Sequence, residues 1–314
     1  MARKRRIARR ASAVVGAAVL TAGVLPVTAE AAKADRSAAA AVCAMQPGSV
    51  TSGGDNRGMR ITTGSPLTVT PGPTYPDIYP AGQVSISTSI ELLADSGAYG
   101  SVGGWVVMGS SLYGSNYQID ANDNVLNLQV TKVGGGWGGF KVVDTSYYNP
   151  PSGTGPNFRA NQYGLSGDGV LYRWKAKGGS WWTGKESYPG FSAVETMALI
   201  SRTFTYDTFL ANTRGGALYT IRIPTSSPMK PIVKQVRTST WQTFDWLLAQ
   251  KCGTQSTLLL GIDKETQSGY LYAVGHANGA ATVIQGLGKV PTSFPDPVYF
   301  RRKTEPGSDD LFGE

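Results

Sequence analysis

The chain has 314 residues, 41% hydrophobic and 16% charged, with 40 glycines, 18 prolines and a formal net charge of +8. Residues 1–31 hold six of the basic side chains and only Glu30 to offset them, so the rest of the chain carries about +3. No basic stripe remains to follow a phosphate backbone, which excludes a nucleic-acid binder. Two cysteines and one histidine are too few soft ligands for a structural zinc site.

The first stretch reads as a secretory signal over residues 1–34. Arg3, Lys4, Arg5, Arg6, Arg9 and Arg10 precede an apolar run from Ala13 to Val27. Two small-x-small cleavage options come after it, Ala29-Glu30-Ala31 and Ala32-Lys33-Ala34. The run is too short for a stable membrane span, so the expectation is an exported, extracellular protein with no membrane attachment once the signal is removed. Arg9-Arg10 leaves the choice between the Sec and twin-arginine routes open. After the signal come an N-terminal extension (35–44), one domain (45–301) and a polar, acidic tail (302–314) expected to be disordered. Cys43 and Cys252 are an even pair in an oxidising compartment. One disulfide is expected, with two buried free thiols as the alternative.

Strand signals dominate the domain. The segment 53–61 is a Gly-Asp turn leading into Arg60-Ile61, and Val69 to Pro76, with three prolines, reads as an extended surface loop. Val84 to Ile90 alternates apolar and polar, and Trp105-Val106-Val107-Met108 is a short buried run. Leu218 to Ile223 and Ala281 to Ile284 continue the habit. The best helical pattern is Thr240 to Gln250, with Trp241, Phe244, Leu247 and Leu248 on one face. Its counterpart Phe140-Lys141-Val142-Val143 is strand-like, so strand is the prediction there.

Two ladders share a period of about 50 residues. Gly-x-Leu-Tyr occurs at Gly169–Tyr172, Gly216–Tyr219 and Gly269–Tyr272, with a weaker copy at Asn124–Asn127. Out of phase run Phe140, Phe191, Phe244 and Phe294, with Ile90 one period earlier. A four-stranded antiparallel meander fits one period, and it must stack on neighbours to bury its apolar face. At the start of the domain Met59 fits the leucine slot without an anchor strand before it. At the end Phe294 to Phe300 is an anchor strand without a leucine partner after it. Each end supplies what the other lacks. The fold class expected is therefore all-β: a single ring of five four-stranded sheets, the last built from N- and C-terminal strands, leaving no open edge.

The run Gly134-Gly135-Gly136-Trp137-Gly138-Gly139-Phe140, then Lys141-Val142-Val143 and Gly167-Asp168-Gly169-Val170-Leu171-Tyr172, resembles tachylectin-type β-propeller repeats. The likeness spans about residues 45–301. It implies a five-bladed β-propeller with lectin activity, often toward N-acetylated amino sugars.

Sugar binding needs an aromatic face plus amide, carboxylate or backbone groups for hydroxyls. Trp137, Trp182 and Trp241 near the anchors, and Asp123, Asp168 and Asp263 in the turns before the Leu-Tyr strands, are the candidate carbohydrate-binding residues. Blade packing for the tryptophans and plain Asx turns for the aspartates are the competing accounts. Asp120-Ala121-Asn122-Asp123-Asn124 begins like a calcium loop, but Val125 and Thr131 stand where glycine and glutamate belong. No metal site and no cofactor are expected. Gly164-Leu165-Ser166-Gly167-Asp168 breaks the nucleophile-elbow pattern, and the sole histidine, His276, reads as a hairpin turn, so the protein is not expected to be an enzyme. A glycosidase carboxylate pair is the open alternative. The expected partner of this monomer is a glycan, or instead a secreted protein such as a protease, engaged by the 69–82 loop and Lys185, Glu186 and Tyr188.

Overall fold

The computed structural model describes residues 43–97, 99–148, 159–177, 181–303 and 311–314, with backbone only for residues 94, 95, 176, 177 and 181. The predicted signal and residues 35–42 of the predicted extension lie outside the described residues. The chain divides into compact units 1–40 and 41–314, and all the described residues belong to the second.

No helix occurs among the described residues. The chain opens with β1 (Ala44–Met45), β2 (Pro47–Val50), β3 (Asn56–Thr62), β4 (Thr68–Tyr75) and β5 (Val84–Ser87). Next come β6 (Ile90–Asp95), β7 (Tyr99–Met108), β8 (Ser111–Asp120) and β9 (Val125–Gly135). Three regular antiparallel meanders come after these. They are β10 (Phe140–Tyr148) to β11 (Arg159–Ser166), β12 (Leu171–Lys177) and β13 (Trp181–Tyr188); then β14 (Val194–Arg202) to β15 (Tyr206–Thr213), β16 (Leu218–Pro224) and β17 (Ile232–Arg237); then β18 (Trp246–Cys252) to β19 (Ser256–Asp263), β20 (Ser268–Val274) and β21 (Ile284–Ser293). The final strand is β22 (Val298–Lys303).

The two chain ends share a sheet. β22 pairs antiparallel with β2, from Pro47↔Arg301 to Val50↔Val298, and β2 pairs with β3, which pairs with β4. The expectation of four strands here is corrected. β22 also runs parallel to β6 over Arg302↔Ile90 and Lys303↔Glu91, because it extends two residues past its antiparallel partner. With β1 on β3 and β5 on β7, this makes one sheet of ten strands. Val69–Pro76 is largely strand, not loop. As an outer strand bonded on one side only, β4 tolerates Pro71 and Pro73.

A single hydrogen bond recurs in every meander. The backbone N–H of Tyr79, Trp137, Phe191, Trp241 and Phe294 donates to the carbonyl of Gly54, Ser110, Gly169, Gly216 and Gln267 respectively, at 2.9–3.0 Å. Each donor lies just past the outer strand of its sheet, and each acceptor lies in the turn between that sheet's second and third strands. The five aromatic rings are 2–9% exposed. At two of these turns the close approach demands glycine: Gly54 and Gly169 have φ of +96° and +88°. A Cβ there would sit 1.9 Å from the Tyr79 carbonyl oxygen or 2.1 Å from the Ser192 nitrogen.

These turns also correct the ladders. Thr51, Ser166 and Thr213 make the same pair of backbone bonds, to Asp55 and Gly54, Val170 and Gly169, Ala217 and Gly216. The residue after each turn is therefore Asn56, Leu171 and Leu218, so Asn56 occupies the leucine slot and Met59 lies three residues past it. Leu126 is on the outer strand β9 and 36% exposed, whereas Leu112 on the third strand β8 is fully buried. Ile90 and Phe140 open inner strands, as expected of anchors, and the bonded aromatics lie upstream at Tyr79 and Trp137.

Among the described residues, five apolar clusters lie between successive sheets. One joins β10–β13 to β14–β17 through Tyr163, Leu171, Phe209 and Ile221. The next joins β14–β17 to β18–β21. Another joins β18–β21 to β1, β3 and β22. A fourth joins β2, β4 and β22 to β5–β9. The last joins β7 and β8 to β10. The sequence of contacts returns to its start, so each sheet buries both faces. Stacked meanders closed in this way make a β-propeller.

Cys43 and Cys252 form a disulfide with Cα atoms 5.5 Å apart, tying the approach to β1 to the end of β18. The expected disorder of 302–314 is corrected for the residues described. Arg302 and Lys303 finish β22, and Leu311–Glu314 is seated on β14. Arg202 N–H donates to Leu311 O, and Gly313 N–H to Ile200 O. Leu311 is 1% exposed, and the Glu314 carboxylate takes bonds from Thr208 Oγ1 and Arg222 Nε. An apolar side chain with an inward place to go outweighs the polar composition around it.

Candidate functional site

The five inter-sheet junctions are not filled alike. Fourteen buried apolar residues fill the one between β10–β13 and β14–β17, and four fill the one between β6–β9 and β10–β13, among the described residues. Strand alternation explains the difference. On β7 and β8 one parity, with Val102, Val106 and Tyr117, faces the sheet before. The other parity starts with Val107 and Leu112, which meet Trp137 and Val143. Further along, that face carries Gly103, Trp105, Gly114 and Asn116, with Leu93 on β6 and Gln129, Thr131 and Val133 on β9. They line a groove of about 310 Å3 whose far wall includes Tyr147 of β10.

Glycines shape the groove. A Cβ on Gly114 would meet the Trp105 ring at 3.2 Å, so the indole lies over this position. A Cβ on Gly103 would stand 2.6 Å from both Asn116 Oδ1 and Leu93 Cδ1. Trp105 is held by donation of its Nε1–H to Tyr147 Oη at 3.4 Å, and by an edge contact with Trp182, ring centroids 5.1 Å apart. Burial, as the main cause, pushes the Tyr147 phenol above its ordinary range, so it stays neutral and fit to accept. The side chains of Asn116, Gln129 and Thr131 are exposed and make no hydrogen bond to described residues. The buried Nε1 of Trp182 has no partner among the described residues. The groove thus offers an indole, two amides and a hydroxyl, with no charged lining residue.

Of the candidate binding residues singled out from sequence, only Trp182 comes near this place, through its contact with the Trp105 ring. Trp137 (9% exposed) is enclosed by Phe140 and Trp174, with centroids 4.8 and 4.9 Å away. Trp241 (5%) is packed on Tyr272 at 4.8 Å. Neither presents a ring face to a pyranose, because both are the hydrogen-bonded anchors of the fold. The aspartates do not converge: Asp168 and Asp263 serve their own turns, and Asp123 meets a tyrosine of β4. Asp123 Oδ1 accepts from Tyr75 Oη at 3.4 Å, Asp168 from Ser166 Oγ, and Asp263 from Thr266 N–H at 3.1 Å. The Asp120 carboxyl is held low by donation from the Asn124 side chain and backbone and from Asn122. Lys185 lies over the Tyr172 ring and Glu186 pairs with Arg173.

Trp105 is hidden in the sequence inside an apolar run that reads as buried strand. The signal that marks it is Gly103-Gly104 before it, with Gly114 and Asn116 on the paired strand: small and polar residues on a sheet face that every other junction fills with bulk.

The space among the innermost strands is small, about 70 Å3, bordered by Asp144 and Arg301. Burial pushes the Asp144 carboxyl up, against the pull of Arg301 and of bonds from Ser89 and Thr145. Glu91, at the same inner edge, is paired with Arg301 at 3.3 Å and Arg202 at 3.6 Å.

No family model matches the chain, and no curated protein does. Among solved structures it is similar to a Hadza microbial sialidase, Hz136, at 12% identity and a TM-score of 0.36, over 73% of this chain and 56% of that one. It is also similar to the WD40 domain of SCAP from fission yeast, at 8% identity and a TM-score of 0.35, over 80% of this chain and 70% of that one. The chain thus spans little more than half the length of the sialidase. At these values the groove's own chemistry must carry any functional reading.

Proposed function

We propose that the chain is an exported, extracellular, non-catalytic carbohydrate-binding protein, a monomeric five-bladed β-propeller of the tachylectin type. Five turn-to-anchor hydrogen bonds and five inter-sheet clusters support the count of blades. The observation that carries the sugar reading is the groove at Trp105. An indole fixed by Tyr147 and Trp182 stands beside Asn116, Gln129 and Thr131, whose polar groups take no partner among the described residues. An apolar pyranose face stacks on such a ring, and amides suit an acetamido group and ring hydroxyls. The uncharged lining favours neutral N-acetylated sugars.

An N-acetylhexosamine has about 15 non-hydrogen atoms. At about 0.3 kcal/mol each, binding reaches about 4–5 kcal/mol, a Kd of about 1 mM or slightly tighter. Isothermal titration with N-acetylglucosamine, its oligomers and N-acetylgalactosamine tests this. Absence of heat and of melting protection at tens of millimolar sugar overturns it.

A second reading, engagement of another secreted protein such as a protease, draws on Ile232 and Val233. Both are 49% exposed on the outer strand β17. A stoichiometric protein partner captured from culture medium and retained in excess sugar would favour it.

A further inference from the structure

A second cavity, of about 330 Å3, lies where the meanders β14–β17 and β18–β21 meet the segment Leu311–Glu314. It differs from the Trp105 groove in containing charge. Arg222 on β16 stacks its guanidinium on the Tyr206 ring, 4.3 Å from the centroid, and donates Nε–H to Glu314 Oε2 at 3.1 Å. Tyr206 is itself fixed by donation of its hydroxyl to Glu314 O at 3.0 Å. Stacked on one side and bonded at one edge, the guanidinium is held flat, and its two Nη groups take no partner among the described residues. A planar donor pair held in this way is the geometry that accepts a carboxylate in two parallel bonds.

The remaining lining completes a sugar-sized site. Phe312 is 40% exposed beside the cavity. Thr254 and Gln255, in the turn between β18 and β19, and His276, in the loop after β20, are not buried, and their side chains make no hydrogen bond to described residues. The nearest acid, Glu314, is buried and already bonded by Arg222 and by Thr208 Oγ1. Its charge is balanced by Arg222, which still has its two Nη groups to offer as donors.

We infer that this cavity binds a carboxylate-bearing sugar, with the carboxylate on the Arg222 Nη pair, the ring against Phe312 and the hydroxyls on Thr254, Gln255 and His276. The sugar ring rests on the carbohydrate-binding reading; the acidic group rests on Arg222 alone. One chain would then carry two unlike subsites, one neutral and one acidic, and a glycan presenting both would gain by avidity.

The test is titration of the full chain with glucuronate, galacturonate and N-acetylglucosamine at low salt, repeated for Arg222→Lys, Gln255→Ala, His276→Ala and Trp105→Ala. Gln255 and His276 hold no structural bond, so their variants fold even if Arg222→Lys does not. The expected result is uronate binding that falls at least 10-fold in Arg222→Lys, falls 2- to 5-fold in each of Gln255→Ala and His276→Ala, weakens with salt and is unchanged in Trp105→Ala. Uronates that bind no better than N-acetylglucosamine would overturn the inference, as would uronate binding indifferent to the cavity variants. Loss of uronate binding in Trp105→Ala would place the acid in the other groove and overturn it equally. N-acetylglucosamine binding lost in Trp105→Ala alone tests the first groove separately, so either site can fail without the other.

Discussion

The junction between β10–β13 and β14–β17 and the junction between β6–β9 and β10–β13 are built on the same plan and used differently. Both carry the turn-to-anchor bond, at Phe191 to Gly169 and at Trp137 to Ser110. The first is packed throughout, with Tyr163 and Phe209 at 0% exposure and their rings 5.1 Å apart edge to face. The second is packed only near the β7–β8 turn, at Val107, Leu112, Trp137 and Val143, and further along the strands gives way to glycines, amides and one indole. The difference teaches that repetition in this chain marks what closes the fold, and that binding chemistry sits where repetition lapses.

The largest effects are expected at the packed junction. Phe209→Ala should cost about 3–5 kcal/mol in chemical denaturation, the range for deleting a buried aromatic. A loss below about 1 kcal/mol would mean the junction is not close-packed. Gly169→Ala should cost about 2–4 kcal/mol, since the new Cβ meets the Ser192 backbone in a left-handed conformation. Gly139→Ala, where a Cβ meets nothing within 4 Å and no left-handed φ is needed, should stay within about 0.5 kcal/mol. At the open junction the effects move from stability to binding. Trp105→Ala should weaken N-acetylglucosamine binding at least 10-fold, about 1.4 kcal/mol, because it removes the indole face of the groove. Asn116→Ala and Thr131→Ala should each change folding stability by less than about 0.5 kcal/mol while weakening sugar binding several-fold. Equal stability losses at both junctions would erase the distinction.

Much of the fold is legible in the sequence and little of the site. A period of about 50, the meander and the shared terminal sheet come from spacing and from the unmatched halves near Met59 and Phe300. Phe140 and Phe244 stand three residues past the true anchors, because Trp137 and Trp241 are aromatic too and only a backbone hydrogen bond separates the roles. Leu126 and Met59 match the slot by side-chain type, whereas the slot is set by turn geometry that Leu112 and Asn56 satisfy. The parallel contact of β22 with β6 spans two residue pairs and leaves no pattern to find. Trp137 and Trp241 stand out in the sequence because they repeat, and repeating is why they are buried. Trp105 does not repeat, and its glycine neighbours look like turn residues until strand pairing sets them side by side.

The sharpest single measurement is a 1H–15N spectrum of the seven indole N–H groups, assigned by substitution and titrated with an N-acetylglucosamine oligomer. Saturable shifts at Trp105 and Trp182, with Trp137 and Trp241 unmoved, are the predicted result. Movement of Trp137 or Trp241 while Trp105 stays still, or no indole moving at tens of millimolar sugar, would contradict the assignment of the groove.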